Sequence, residues 1–322
     1  MTSRRLSLHL LSAGLLGALA GAPVRAGQPP HLRMMIPANA GGGWDRTGRE
    51  FGQALLRSGL ISGVQYDNRG GAAGTIGLAQ FATQYKANPQ AMMVMGSVML
   101  GGIITGKPPV GLDRVRPLAR LTNEYNVFVL PPGSPFRDMR EVMAQFRANP
   151  VSIKWGGGSR GSTEHIAVHM LARLLGVPAR AINYVPFRGG GEAAAAIMGG
   201  HVTVGGSGYS EFLTPIRAGR MLPVAITAPQ RMPGLDIPTL HELGWPVDIG
   251  NWRGLCAPAG LTQAQYDDLL LLVERGVASG AWQEAVRRQG WLPELLLGDA
   301  FARFIHQEFD AMRDILVRAG LT

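Results

Sequence analysis

The chain of 322 residues contains one cysteine, Cys256. It can form no intramolecular disulfide and no cysteine-based metal cluster, and Cys256 is expected to be a small buried apolar residue. Charge is also sparse: 16% of residues are charged against 46% apolar, a balance that excludes a disordered chain. Beyond the first 26 residues no apolar run reaches the roughly 18 residues expected of a membrane span, so that part is expected to be soluble. The Lys and Arg are scattered, so the net charge of +9 marks no nucleic-acid surface. What is abundant is glycine, 45 residues with no Gly-X-Y period, which excludes collagen and points to a globular protein rich in tight turns.

The N-terminus reads as a processing signal. Arg4-Arg5 precedes the apolar stretch Leu6 to Ala20, then Gly21, Pro23 and the small-residue pattern Val24-Arg25-Ala26. These are the three regions of a secretory signal peptide with cleavage after about Ala26, and the apolar run is shorter than the roughly 20 residues of a membrane anchor. Without this segment the chain carries 28 basic and 22 acidic residues, a balance of +6 that suits anionic ligands in general. Export without disulfides suggests a bacterial periplasmic protein.

At roughly 150 residues per domain the length suits about two domains. Short apolar runs alternate with amphipathic stretches, and glycine stands at most junctions. Leu32 to Ile36 reads as a strand and Asp45 to Leu56 as a helix; Val151 to Trp155 and Thr163 to Leu175 repeat the pattern, as do Asn183 to Phe187 and Glu192 to Met198. Such β-loop-α units imply an α/β fold with parallel sheets, whose ligands bind at the strand ends where the glycine loops lie. Two strands entering proline turns, Asn126 to Leu130 and Trp252 to Ala257, read as crossings between domains. They divide the chain into a signal peptide, 1–26; a discontinuous first domain, 27–126 plus 252–322; and a second domain, 127–251.

Candidate chemistry sits on the loops. Asn39-Ala40-Gly41-Gly42-Gly43-Trp44-Asp45 places three glycines before a helix, whose unpartnered first amides and positive dipole end suit an anion; a plain turn with Asp45 as cap is the other reading. Asn68 to Thr75 is a second such loop. Gly156 to Gly161 fits the dinucleotide fingerprint, yet no acidic residue stands about 20 positions on to hold a ribose. Gly157-x-Ser159-x-Gly161 also fits a hydrolase nucleophile elbow, with Asp236 and His241 or Asp248 and His306 in triad order. His165 and His169 share a helix face but lack the intervening glutamate of a zinc protease motif, so no metal is expected.

Taken in order, these loops give a resemblance along the whole chain beyond the signal peptide. Pro37 to Asp45, Asn68 to Gly77, Met93 to Met99, Ala119 to Tyr125, Gly156 to His165, Phe187 to Ala193, Ser207 to Phe212 and Asn251 to Gly254 resemble the Bug or TctC family, the periplasmic substrate-binding proteins of tripartite tricarboxylate transporters, and most closely its tricarboxylate-binding branch. The resemblance implies a two-domain, type II periplasmic binding protein of the Venus-flytrap kind, closing on a di- or tricarboxylate in the cleft between domains and presenting it to a membrane permease. It implies neither catalysis nor a cofactor, and a monomer is expected. Carried over by position, the ligand contacts are Asn39, Gly41, Gly42, Gly43, Asp45, Asn68, Ala72, Gly74 and Thr75 on one side. On the other they are Ser159, Arg160, Gly161, Ser162, Thr163, Arg188, Gly190, Gly191, Ser207 and Tyr209. Arg160 and Ser162 depart from the alanine and glycine usual there, and Glu164 stands where the branch has aspartate; Arg160 could hold a carboxylate bidentately. A serine hydrolase using Ser159 and a sensory binding protein signalling to a membrane receptor are the alternative functions.

Overall fold

The structure, a computed structural model, describes residues 29–322. The expected signal peptide, 1–26, lies outside the described residues. In chain order the elements begin with β1 (His31–Ile36), α1 (Gly43–Arg57), β2 (Gly63–Asn68), α2 (Thr75–Gln84), β3 (Ala91–Gly96), α3 (Ser97–Gly106) and β4 (Val115–Asn123). Next come β5 (Asn126–Leu130), α4 (Met139–Ala148), β6 (Lys154–Gly157), α5 (Thr163–Leu174), β7 (Asn183–Pro186), α6 (Gly190–Met198), β8 (Val204–Gly208), α7 (Tyr209–Arg217) and β9 (Leu222–Ile226). The chain closes with β10 (Arg253–Pro258), α8 (Gln263–Ala278), α9 (Gly280–Gln289), β11 (Leu292–Leu297) and α10 (Gly298–Arg318).

These strands form two sheets, so the structure has two lobes. The first sheet has the order β11-β4-β10-β3-β1-β2 and the second β7-β6-β8-β5-β9. In the first, β1 runs parallel to both neighbours, while β10 lies antiparallel to β3 and β4. The order explains the burial. Central β3 and β10 are buried at every residue and are apolar apart from Arg253 at the head of β10, whereas edge strands β2 and β11 are half-exposed. In the second sheet Trp155 on β6 packs edge-on against Phe128 and Phe146, at ring separations of 5.7 and 5.2 Å. Its other face is closed by Ala193 and Ile197 of α6 and Phe212 of α7 against Val127 and Val129.

Two local expectations change. A 3-10 turn over Pro150–Ser152 delays β6, which runs from Lys154 to Gly157 instead of starting at Val151. Pro150 explains this, because its fixed φ suits the first position of a helical turn and removes a strand donor. Asp45 is not the cap of α1: Gly42 is, and Asp45 stands in the first turn with its carboxylate turned back to accept from the Gly41 N–H at 2.9 Å. Cys256 is fully buried on β10, as its apolar setting predicts.

The chain leaves the first sheet between Asn123 and Asn126 and returns before Arg253. Asn251 N donates to the Glu124 carbonyl at 2.8 Å, so the two connections lie side by side. Loops at the strand ends of both sheets therefore face one another beside this double connection.

Candidate functional site

The facing loops enclose a cleft of about 330 Å³ lined from both lobes. The first lobe contributes the loops that follow β1 and β2, together with Val98 of α3; the second contributes the loops after β6 and β7 and the start of α7. Helix α1 begins on Gly42 and α6 on Gly189 with no side-chain cap on either, so their first amides are left for a ligand or solvent. The β2–α2 loop is built in strained backbone. Consecutive Ala72 and Ala73 hold φ of 46° and 54°, a left-handed region that non-glycine residues enter at a cost of roughly 1–2 kcal/mol each.

Of the residues the sequence singled out, Gly42, Gly43, Ala72, Gly74, Ser159, Arg160, Ser162, Arg188, Gly190 and Ser207 are brought together on the cleft wall. The other nine stand behind or beside it. Asp45 and Asn68 fasten the first loop from below: Asn68 Nδ2 donates to Asp45 Oδ1 at 2.9 Å and to the Ala38 carbonyl at 3.1 Å. Asn39 is exposed and packs on Gly70, and Thr75 donates to the Ala72 carbonyl at 2.9 Å. Thr163 is buried, with its hydroxyl on Asn126 Oδ1 at 3.2 Å, and Tyr209 lies half-buried against the second lobe's smaller core cluster. Gly161 approaches Gly101 of α3, and Gly191 approaches the Gly41 carbonyl, so these glycines lie where the lobes touch. At Gly161 the φ of 83° adds a conformational reason for glycine.

The structure adds charged groups that the loop motifs did not reveal. Arg253, at the head of β10, lines the cleft at 2% exposure and pairs with the buried Glu124 of the first connection. The other oxygen of Glu124 accepts from the Ser210 N–H at 3.0 Å. Burial pushes the Glu124 carboxyl above its ordinary range, with Arg253 pulling it back. Glu211, in the first turn of α7, also lines the cleft and accepts from the Ser207 hydroxyl. Glu164, in the first turn of α5, accepts from the Gly158 N–H at 2.5 Å; burial raises its carboxyl to about 7. Trp44 and Asn251 complete this wall, Asn251 accepting from the Ser97 hydroxyl at 3.3 Å. Three arginines, 160, 188 and 253, and two glutamates, 164 and 211, thus line one cleft.

Other chemistry read from the motifs is not assembled here. Ser159 lines the cleft, but no histidine among the described residues does. His241 sits 3.2 Å from Asp248, and Asp236 pairs with Arg231, so neither expected triad forms around Ser159. His165 and His169 meet edge to face at 4.6 Å between ring centres, and burial lowers them to about 3 and about 4. His165 Nδ1 already accepts from the Gly161 N–H at 3.1 Å, which gives that ring a structural task. Among the described residues no three His, Cys, Asp or Glu gather as a metal site. Among them too, no helix is long and apolar enough to cross a membrane.

Known proteins are similar to this chain in sequence or in fold. The protein BugT of Bordetella pertussis is 26% identical over 316 residues, covering 95% of this chain and 96% of BugT. The solved periplasmic binding protein BugD superposes with a TM-score of 0.80 at 23% identity, over 91% of this chain and 98% of that one. MatC from Rhodopseudomonas palustris, solved with bound malate, does so at 0.79 and 22% identity, over 89% and 99%. The fold is therefore the two-lobed α/β fold of periplasmic binding proteins. Residues 52–321 match the family described as the tripartite tricarboxylate transporter family receptor, TctC, and the chain belongs to that family.

Proposed function

We propose that the protein is an extracytoplasmic solute-binding protein that captures a di- or tricarboxylate, citrate-like in class, by hinge closure and delivers it to the permease of a tripartite tricarboxylate transporter. The observation that carries this reading is the cleft between lobes, walled by uncapped helix starts and by Arg253, a buried cation with donors to spare. Helix N-termini at roughly 0.3–1 kcal/mol each do not reach the about −8 kcal/mol of micromolar binding. Charge-assisted hydrogen bonds at roughly 1.5–3 kcal/mol each, from Arg253 and from Arg160 and Arg188, make up the difference. The malate held by MatC supports a carboxylate ligand. In this reading the lobes are 27–126 with 252–322, and 127–251, joined by the double connection beside Glu124. Residues 1–26 direct export and are removed, and the protein works as a periplasmic monomer.

Trp44 on the cleft wall supplies the assay. Titration with malate, succinate, citrate and tricarballylate is expected to change the tryptophan emission saturably and to raise the melting temperature by mass action. The emission change is expected to be lost in Trp44→Phe. If none of these acids moves either signal, the carboxylate reading fails.

A further inference from the structure

The floor of the cleft carries both signs of charge. Arg253 has five N–H donors. Nη2 serves Glu124, Nη1 reaches Thr47 Oγ1 at 3.4 Å, and Nε is buried with no partner among the described residues. A buried guanidinium that leaves most of its donors unused carries a desolvation cost that an arriving acceptor would relieve. Glu211, which is partly buried, offers the complementary group. Its Oε2 accepts from Ser207, while Oε1 has no hydrogen-bond partner among the described residues.

The two groups are close to each other without being paired. Arg253 pairs with Glu124 instead. A Cβ placed on Gly43 would lie 2.7 Å from Arg253 Cζ and 2.9 Å from Glu211 Oε1, and one placed on Gly190 would lie 2.5 Å from Glu211 Oε2. Glycine at both positions leaves room for these side chains where the loops of the two lobes meet. Arg253 Nη2, which keeps a second N–H beyond the one given to Glu124, and Glu211 Oε1 both lie against Gly43, and together they match a molecule with an acceptor and a donor on neighbouring carbons. A plain dicarboxylate would satisfy Arg253 but bring a second anion toward Glu211.

We propose that Arg253 and Glu211 set the specificity of the cleft, Arg253 receiving a ligand carboxylate and Glu211 a hydroxyl or ammonium on the adjoining carbon, so that substituted acids are preferred over bare acids of the same skeleton. This rests on the carboxylate reading above and sharpens it. A hydrogen bond to a charged acceptor discriminates by roughly 10- to 100-fold.

The test uses calorimetric titration with matched acids that differ only in that substituent: succinate, malate and aspartate; glutarate, 2-hydroxyglutarate and glutamate; tricarballylate and citrate. In at least one set the wild-type protein is expected to bind a substituted acid ten times or more tighter than the bare one. Glu211→Gln is expected to bring that ratio within about threefold, chiefly by weakening the substituted acid. Glu211→Asp, which withdraws the carboxylate by one methylene, is expected to shrink the ratio too and serves if the glutamine variant does not fold. A wild-type ratio near one in every set overturns the proposal, as does a ratio that survives both substitutions. Binding of none of the acids by wild type overturns the carboxylate reading itself, a result distinct from carboxylate binding that ignores Glu211.

Discussion

Replacing Glu164 by glutamine tests whether the carboxyl at the base of the cleft loop is held neutral by its surroundings. The side chain is 5% exposed, and burial raises its titration from 4.5 to about 7, against the opposing pull of the Gly158 N–H. A carboxyl whose folded value is raised binds its proton more tightly in the folded state. Its contribution to stability is complete below 4.5 and is lost as pH climbs through 7. At 1.36 kcal/mol per pKa unit, ionising Glu164 in place costs roughly 3 kcal/mol by pH 8. Glutamine keeps the required geometry: Oε1 still accepts from Gly158, and Nε2 can donate to the Thr163 hydroxyl, which stands 3.3 Å from Glu164 Oε2. Glu164→Gln should therefore match wild type in urea unfolding near pH 4.5 and exceed it by roughly 3 kcal/mol at pH 8, with an unchanged m-value. Parallel curves from pH 4.5 to 8, or a glutamine variant weaker at pH 8, would refute the reasoning.

Two further outcomes follow from the same geometry. His165 and His169 are lowered from 6.5 to about 3 and about 4, so they stabilise the fold above 6.5, and that contribution is lost as pH falls toward 4. His165→Asn retains an acceptor for the Gly161 N–H and should reduce the slope of stability against pH in that window by roughly 1.4 kcal/mol per pH unit; an unchanged slope in acid urea titrations would contradict it. Gly101→Ala places a methyl against the Gly161 carbonyl of the opposite lobe. Overpacking of this kind costs roughly 1–3 kcal/mol, so ligand affinity should fall about five- to hundredfold, with a larger radius of gyration by small-angle scattering; unaltered affinity would show that the lobes need not meet there.

The sequence made the scaffold legible because its signals are local. Glycine at the strand-helix junctions and the 3.6-residue spacing of Ile166, Met170, Leu171 and Leu174 each act within one unit, and α5 runs from Thr163 to Leu174 as that spacing requires. The loops of the cleft were legible for the same reason, but the division of labour within them was not. Asp45 and Asn68 sit in the glycine-rich motifs, and only the fold shows that they bond to each other and brace the loop from behind. Glu124, Glu211 and Arg253 escaped because their meanings depend on partners far apart in sequence; Arg253 and Glu124 are 129 residues apart. One signal was present. Arg253 opens the run Arg253–Pro258, otherwise apolar and buried throughout, and a charge at the head of such a strand must find a partner.

That partner choice bears on why the charge is there at all. A buried ion pair is a poor source of stability, since desolving both ions offsets most of their attraction, and well-packed apolar residues commonly do as well or better. Arg253 and Glu124 therefore have a weak claim as structural devices, and the incomplete satisfaction of Arg253 weakens it further: among the described residues Nε has no partner, and the contact to Thr47 is long. Their location supplies the stronger reason. Glu124 lies on the outgoing connection between sheets and Arg253 at the return, while Ser210, whose N–H donates to Glu124, stands in the first turn of the helix that carries Glu211. One guanidinium thus touches both connections and the cleft. An acceptor bound there would be held by a cation already fixed to the joint between the lobes, which is where binding energy must act if capture and closure are to be one event.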